Sequence, residues 1–146
     1  MKLYPPFLVL IGILGQILVG QFVPIEPVLG PIWQTIGIVL VILGLVMILA
    51  TSRSFRQAET TIIPDGAPSI LLQTGLYTLS RNPIYVGMAV ILSGTALLTA
   101  HIWAFIFVAL FVVAVDRMWI VKEEVNLEAE FGQQYRDYKQ RVRRWL

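Results

Sequence analysis

The chain has 146 residues, 57% of them hydrophobic and only 14% charged, with a mean hydropathy of +0.76, which lies outside the soluble globular range and indicates a single domain built for a bilayer. Its net charge of +2 comes from Lys and Arg confined to the start of the chain, to the stretch from Arg53 to Arg81 and to the region from Arg117 onward, a positive-inside pattern rather than a nucleic-acid footprint. Cysteine is absent and His101 is the only histidine, so disulfides, thiolate chemistry and histidine-based metal sites are excluded.

The first apolar run, 7–23, follows Lys2 and the Pro5-Pro6 pair. No small-residue cleavage pattern follows it, so it reads as a transmembrane helix rather than a signal peptide. Pro24 to Pro31, with three prolines and Glu26 as its one charge, reads as a turn. The second predicted span, 32–50, is about 28 Å long at 1.5 Å per residue, close to the thickness of a hydrocarbon core. Gly37 and Gly44 lie two turns apart on one face of it, a surface for close helix packing.

A polar stretch over 51–82 reads as a cytoplasmic loop, because Pro64 and Pro68 exclude a continuous helix. Loops of this length are either functional or plain solvated spacers. Pro83 suits the first turn of a third span, 83–99, in which Gly87 and Gly94 repeat the two-turn spacing. A tight turn at Ala100-His101 leads to the fourth span, 102–121, and places His101 at the outer interface. Trp33 and Trp103 near one interface, with Trp119 near the other, fit an aromatic belt.

The tail, 122–146, continues the helical pattern. Leu127, Phe131, Tyr135, Tyr138, Val142 and Trp145 recur at spacings of three and four, opposite a charged face. Gly132 weakens this helix by about 1 kcal/mol relative to Ala and is the point where it can kink or split. Arg141, Arg143 and Arg144 read as a basic cluster at the membrane surface. The expected fold is therefore all-α: one integral-membrane domain of four transmembrane helices with a C-terminal cytoplasmic amphipathic helix and both termini cytoplasmic.

Two polar clusters interrupt this apolar chain on the cytoplasmic side. One is the segment from Thr74 to Gly87, with Arg81 at the mouth of the third span. The other is Glu123-Glu124. On a regular helix Arg117, Ile120, Glu124, Leu127 and Phe131 share a face, which aims a guanidinium and a carboxylate inward, with Glu123 close to the face of Asp116. Charges on the packed side of a membrane helix are functional by default. A cavity between the clusters would offer carboxylates, a guanidinium and the rings of Tyr77 and Tyr85, which suits a zwitterion with an apolar or aromatic body.

The motifs Gly75-Leu76-Tyr77, Arg81-Asn82-Pro83-Ile84-Tyr85-Val86-Gly87, Glu123-Glu124-Val125-Asn126-Leu127 and Phe131-Gly132-Gln133-Gln134-Tyr135-Arg136-Asp137-Tyr138 stand in this order along the chain. In this the sequence resembles the isoprenylcysteine carboxyl methyltransferases and their phospholipid methyltransferase relatives, from about Thr60 onward. Asn82 stands where many members have histidine, and an amide cannot act as a base.

The resemblance implies a membrane enzyme that uses S-adenosylmethionine. Its cofactor-binding residues would be Tyr77, Arg81, Asn82, Pro83, Tyr85, Gly87, Glu123, Glu124 and Tyr135, with Arg81 and Glu124 catalytic and no metal. Its partners would be the membrane and a lipophilic or lipidated acceptor, with no nucleic acid. A carboxylate acceptor needs no general base, which favours it over an amine or a thiol. Two readings of other classes stand beside this one: a non-catalytic module in which Asp116, Arg117, Glu123, Glu124 and Arg81 form an ion-pair lock, and, less favoured by the apolar span centres, a transporter or channel subunit.

Overall fold

Glycines spaced two turns apart bring two helices into backbone contact, and the rest of the bundle is assembled around that contact. The computed structural model describes residues 4–22, 29–57 and 70–146. Among these, six helices follow one another: α1 (Pro5–Phe22), α2 (Pro31–Gln57), α3 (Pro83–Leu98), α4 (Phe105–Val115), α5 (Val121–Phe131) and α6 (Gln133–Arg141). A 3₁₀ turn, Gly75–Thr78, precedes α3, and a second, Ile102–Ala104, precedes α4.

Helices α2 and α3 run antiparallel. A Cβ built on Gly44 would stand 2.5 Å from the carbonyl oxygen of Gly87, and one built on Gly94 only 2.6 Å from that of Gly37. Only hydrogen in the side-chain position allows this approach, and it lets extended van der Waals contact replace the hydrophobic drive that lipid does not supply. The buried residues of α2 are Gly37, Gly44 and Thr51, a seven-residue repeat of small side chains.

Helix α1 packs on another side of α3, where Gly12 meets Leu92. Gln16 is fully buried there, and every polar atom of its amide is engaged. Nε2 donates to the carbonyls of Leu92 (3.0 Å) and Ala104 (3.4 Å), and Oε1 accepts from Thr95 Oγ1 (2.6 Å). One side chain thus ties α1, α3 and the start of α4 together in a region where water cannot satisfy polar groups. His101, expected at an interface, lies in the turn between α3 and α4 and is buried there, with Gly20 of α1 close to its ring.

Three stretches are long and apolar enough to cross a membrane: Pro5–Phe22, Pro31–Gln57 and Ile102–Phe131. With the wide apolar faces that α1 and α2 expose, they mark an integral membrane protein. The third expected span is a shorter apolar helix, Pro83–Leu98, about 24 Å in length. It is flanked by α1, α2 and α4, and it buries Tyr85, Val86, Met88, Ile91, Leu92, Ala96 and Leu97, so its length answers to protein neighbours more than to lipid.

Two expected boundaries are corrected. Helix α2 does not stop at residue 50 but continues to Gln57, because the small face persists at Thr51, whose hydroxyl bonds back to the carbonyl of Met47 (2.8 Å). The tail helix, expected to run to residue 146, leaves helical geometry after Arg141, and it splits at Gly132, whose φ of 51° is left-handed. Lys2 and the loop residues Glu59, Pro64, Asp65 and Pro68 lie outside the described residues.

The glycine contact gives a direct test. Gly94→Ala should destabilise the protein by about 1–3 kcal/mol in reversible detergent denaturation, because backbone rather than a movable side chain receives the new methyl. Gly30→Ala, with nothing within 4 Å of the added atom, should leave stability unchanged.

Candidate active site

At the end of the bundle where α3 begins, α4 does not pass smoothly into α5. Asp116–Ile120 form a π-helical turn, closed by the bond from Val121 N–H to the carbonyl of Asp116. The extra residue shifts the face presented by everything downstream. Two α-turns plus one residue bring positions eight apart into line, so Asp116 and Glu124 project together. Arg117, expected to point inward with Glu124, is exposed for this reason.

Glu124 is 8% exposed and sits between two guanidiniums. Arg144 grips it with a forked pair of bonds, Nε to Oε1 (3.1 Å) and Nη2 to Oε2 (2.6 Å). Arg81 reaches Oε1 through Nη2 alone, at 2.9 Å. The second terminal nitrogen of Arg144, Nη1, bonds Asp116 Oδ1 (3.2 Å), which also accepts from Trp145 Nε1 (3.3 Å). The Glu124 carboxylate holds the proton of Arg144 more tightly than usual, chiefly through these hydrogen bonds.

The segment that carries Arg144 is pinned along its backbone. Arg81 N–H donates to the carbonyl of Arg143 (3.0 Å), while Ser80 Oγ (3.2 Å) and Asn82 Nδ2 (2.9 Å) donate to that of Arg144. The residues read as a basic cluster at the membrane surface therefore include one, Arg144, that is bonded into this network.

Beside this network lies a cavity of about 380 Å³, in the size range of small-molecule pockets. Its polar wall holds Arg81, Asn82, Glu123, Glu124 and the rings of Tyr77, Tyr85, Tyr135 and Tyr138. Its apolar wall comes from the start of α1 at Pro5 and Pro6, from Phe55 of α2, and from Ile84 and Met88 of α3. Glu123 accepts a 2.6 Å hydrogen bond from Tyr85 Oη, and no Lys or Arg among the described residues pairs with it. Arg81 is the converse case. Its side chain is 10% exposed, yet Nε and Nη1 are buried and find no acceptor among the described residues.

The rings are fixed as neutral groups. Tyr77 meets Phe55 edge to face at 6.0 Å, and burial pushes its hydroxyl above the ordinary range. Tyr138 is pushed up to about 12 by burial and so remains a donor, bonding the Tyr77 carbonyl at 2.7 Å. Burial likewise raises Tyr135, which is 1% exposed and has Lys139 Nζ 5.6 Å over its ring.

Seven of the nine residues expected to hold a cofactor therefore line one cavity. The other two face elsewhere: Pro83 is buried at the start of α3, and Gly87 packs on Gly44. Among the described residues no group of three His, Cys, Asp or Glu is placed to hold a metal ion.

A model of the phospholipid methyltransferases matches residues 32–134. The chain belongs to the phospholipid methyltransferase family. An uncharacterized protein of Haemophilus influenzae is 38% identical over 63 residues, 43% of this chain and 100% of the relative. No solved structure matches the chain. Membership makes this bundle a membrane methyltransferase. The family match over residues 32–134 contains Arg81, Glu123 and Glu124 but not Arg144.

Phe55, Asp116, Tyr138 and Arg144 are among the site residues with no place among those expected to hold a ligand. The seven-residue run through Thr51 points to Phe55 four residues later. Nothing in the spacing of Arg141, Arg143 and Arg144 singles out the last.

Removing the shared carboxylate should be costly. Glu124→Ala leaves Arg81 buried without its counter-charge, and about 3–5 kcal/mol of stability should be lost in denaturation measured on the detergent-purified protein.

Proposed function

We propose that this protein transfers a methyl group from S-adenosylmethionine to a lipophilic acceptor bound in the cavity beside Arg81. One observation carries the reading: among the described residues, a nine-tenths buried guanidinium keeps two donors without an acceptor, beside a cavity that also holds a carboxylate without a cation. Together they form a receptor for a zwitterion. The fit to the cofactor follows from the donor set. Arg81 Nε and Nη1 would take its carboxylate, Glu123 would offset its ammonium, and Tyr77, Tyr85 and Tyr135 offer aromatic surface to its adenine. Asn82 is engaged with the chain at Arg144 and would act on the ligand only by fixing the wall around it.

S-adenosylmethionine, when bound, supplies a methyl group activated on a sulfonium. The protein contributes binding, orientation and exclusion of water. Glu124 is occupied by two guanidiniums and is a poor base; its part is to hold Arg81. The apolar wall at Pro5, Pro6, Phe55, Ile84 and Met88 suits a hydrocarbon-bearing acceptor that arrives from the bilayer. A carboxylate on that acceptor needs no base, and neutralisation of opposite charges is favoured where water is scarce. The family description and the Glu123 carboxylate support a second reading, a phospholipid amine whose proton Glu123 removes.

Arg53, Arg56, Arg81, Lys122, Arg136, Lys139 and Arg141 are carried at the end of the bundle that holds the cavity, and the sequence between residues 23 and 35 contains no Lys or Arg. This supports a cytoplasmic opening, both termini cytoplasmic and four crossings, with α3 as the shortest. The ion-pair lock weighed against catalysis is present in altered membership, built from Arg81, Glu124, Arg144 and Asp116. It supports the site rather than replacing it.

Calorimetry with S-adenosylhomocysteine on the purified protein tests the reading. Binding is expected, weakened about tenfold or more in Arg81→Ala and in Glu123→Gln; absence of binding to the unmodified protein would sink it. Membranes supplied with radiolabelled methyl donor should yield a labelled lipid-soluble product. Loss of the label in mild base indicates an ester, and its retention indicates the amine reading.

A further inference from the structure

Arginine and carboxylate side chains favour a forked pair of parallel hydrogen bonds, and Arg81 with Glu124 does not make one. Both side chains are 10% exposed and touch at 2.9 Å, yet only Nη2 of Arg81 is used. The reason lies on the other side of the carboxylate. Arg144 already bonds both of its oxygens, so the forked face of Glu124 is taken. A guanidinium presents a fork through Nε with one terminal nitrogen, or through its two terminal nitrogens. A forked Arg81 would therefore consume Nε or Nη1, the two donors without an acceptor among the described residues.

We propose that Arg144 is a positioning residue for the methyl-transfer site: by filling the forked face of Glu124 it keeps Arg81 singly bonded, with Nε and Nη1 held open for the anionic group of the ligand. The inference rests on the reading of Arg81 given above and extends it to a residue outside the family match. Three features favour this role over a simple tether. Arg144 is itself held from behind by both oxygens of Asp116, at 3.2 and 3.3 Å, so it cannot follow Glu124 if the carboxylate rotates. Its backbone is fixed by Ser80 and Asn82, which flank Arg81 in sequence, so any shift of the segment is felt at Arg81. The two guanidiniums and two carboxylates balance in charge, so an arriving anion meets oriented donors without displacing an internal partner.

The same geometry gives Asn82 a function that a base at this position would not serve. Its amide donates to the Arg144 carbonyl at 2.9 Å and reads the position of the segment that positions Arg81.

The test compares S-adenosylhomocysteine with its analogue lacking the α-carboxylate, by calorimetry on the detergent-purified full chain. The unmodified protein should prefer the carboxylate-bearing ligand by about tenfold or more. In Arg144→Gln that preference should collapse toward unity while affinity for the decarboxylated analogue is kept. Arg144→Lys keeps the charge but not the fork, and should lose most of the preference with an unchanged melting temperature. If Arg144→Gln does not fold, the lysine variant decides. Full preference in Arg144→Lys, or equal weakening of both ligands, overturns the proposal and leaves the methyltransferase reading intact. Failure of the unmodified protein to bind either ligand removes that reading and the proposal with it.

Discussion

A single buried carboxylate shared by two guanidiniums is the interaction on which this structure turns. Burying Glu124 or Arg81 alone would cost several kcal/mol, so each stays in the interior only with a counter-charge, while Arg144, whose side chain is 35% exposed, reaches in from the surface. Glu124 arrives on the helix that follows α4, Arg81 immediately before α3, and Arg144 on the segment after α6. Parts of the chain that are far apart in sequence are thereby held at one point. The cavity lies beside that point, where one edge of Arg81 has no acceptor among the described residues.

The bundle behind the site supplies the rigidity that such a cluster needs. Glycine contacts let α2 and α3 approach at backbone distance, and the fully bonded Gln16 amide joins α1 to both α3 and α4. Polar satisfaction at membrane depth is achieved at one residue and close packing at another, so neither depends on water. The apolar wall of the cavity comes from α1, α2 and α3, and its polar wall from the turn before α3, from α3 itself and from α5 and α6, all at one end of the bundle. That arrangement suits chemistry between a charged cofactor and a hydrocarbon-bearing acceptor.

Much of this was legible in the sequence because apolar runs and paired glycines have direct physical meanings in lipid. The meeting of Arg81 with Glu124 followed from their positions at the same end of the chain's long apolar stretches. Three features were hidden for separate reasons. Arg53 and Arg56 break the apolar run and conceal the extension of α2 that carries Phe55. The π turn rotates the face downstream, so a regular helical wheel puts Arg117 where Asp116 belongs. Arg144 has neighbours of like charge at positions 141 and 143, and nothing in local composition separates a charge that docks from charges that stay in water.

The π turn also makes the spacing between Asp116 and Glu124 a measured length. If the turn straightened to regular helix with every residue kept, the eight residues would overshoot two turns, and everything beyond would rotate by about 80° relative to α4. Glu124 would then turn away from both of its guanidiniums at once, whereas removing one residue between 117 and 120 together with the bulge leaves two regular turns and keeps Asp116 and Glu124 in line. The helix acts there as a counter, and the candidate site is the place where the count is read.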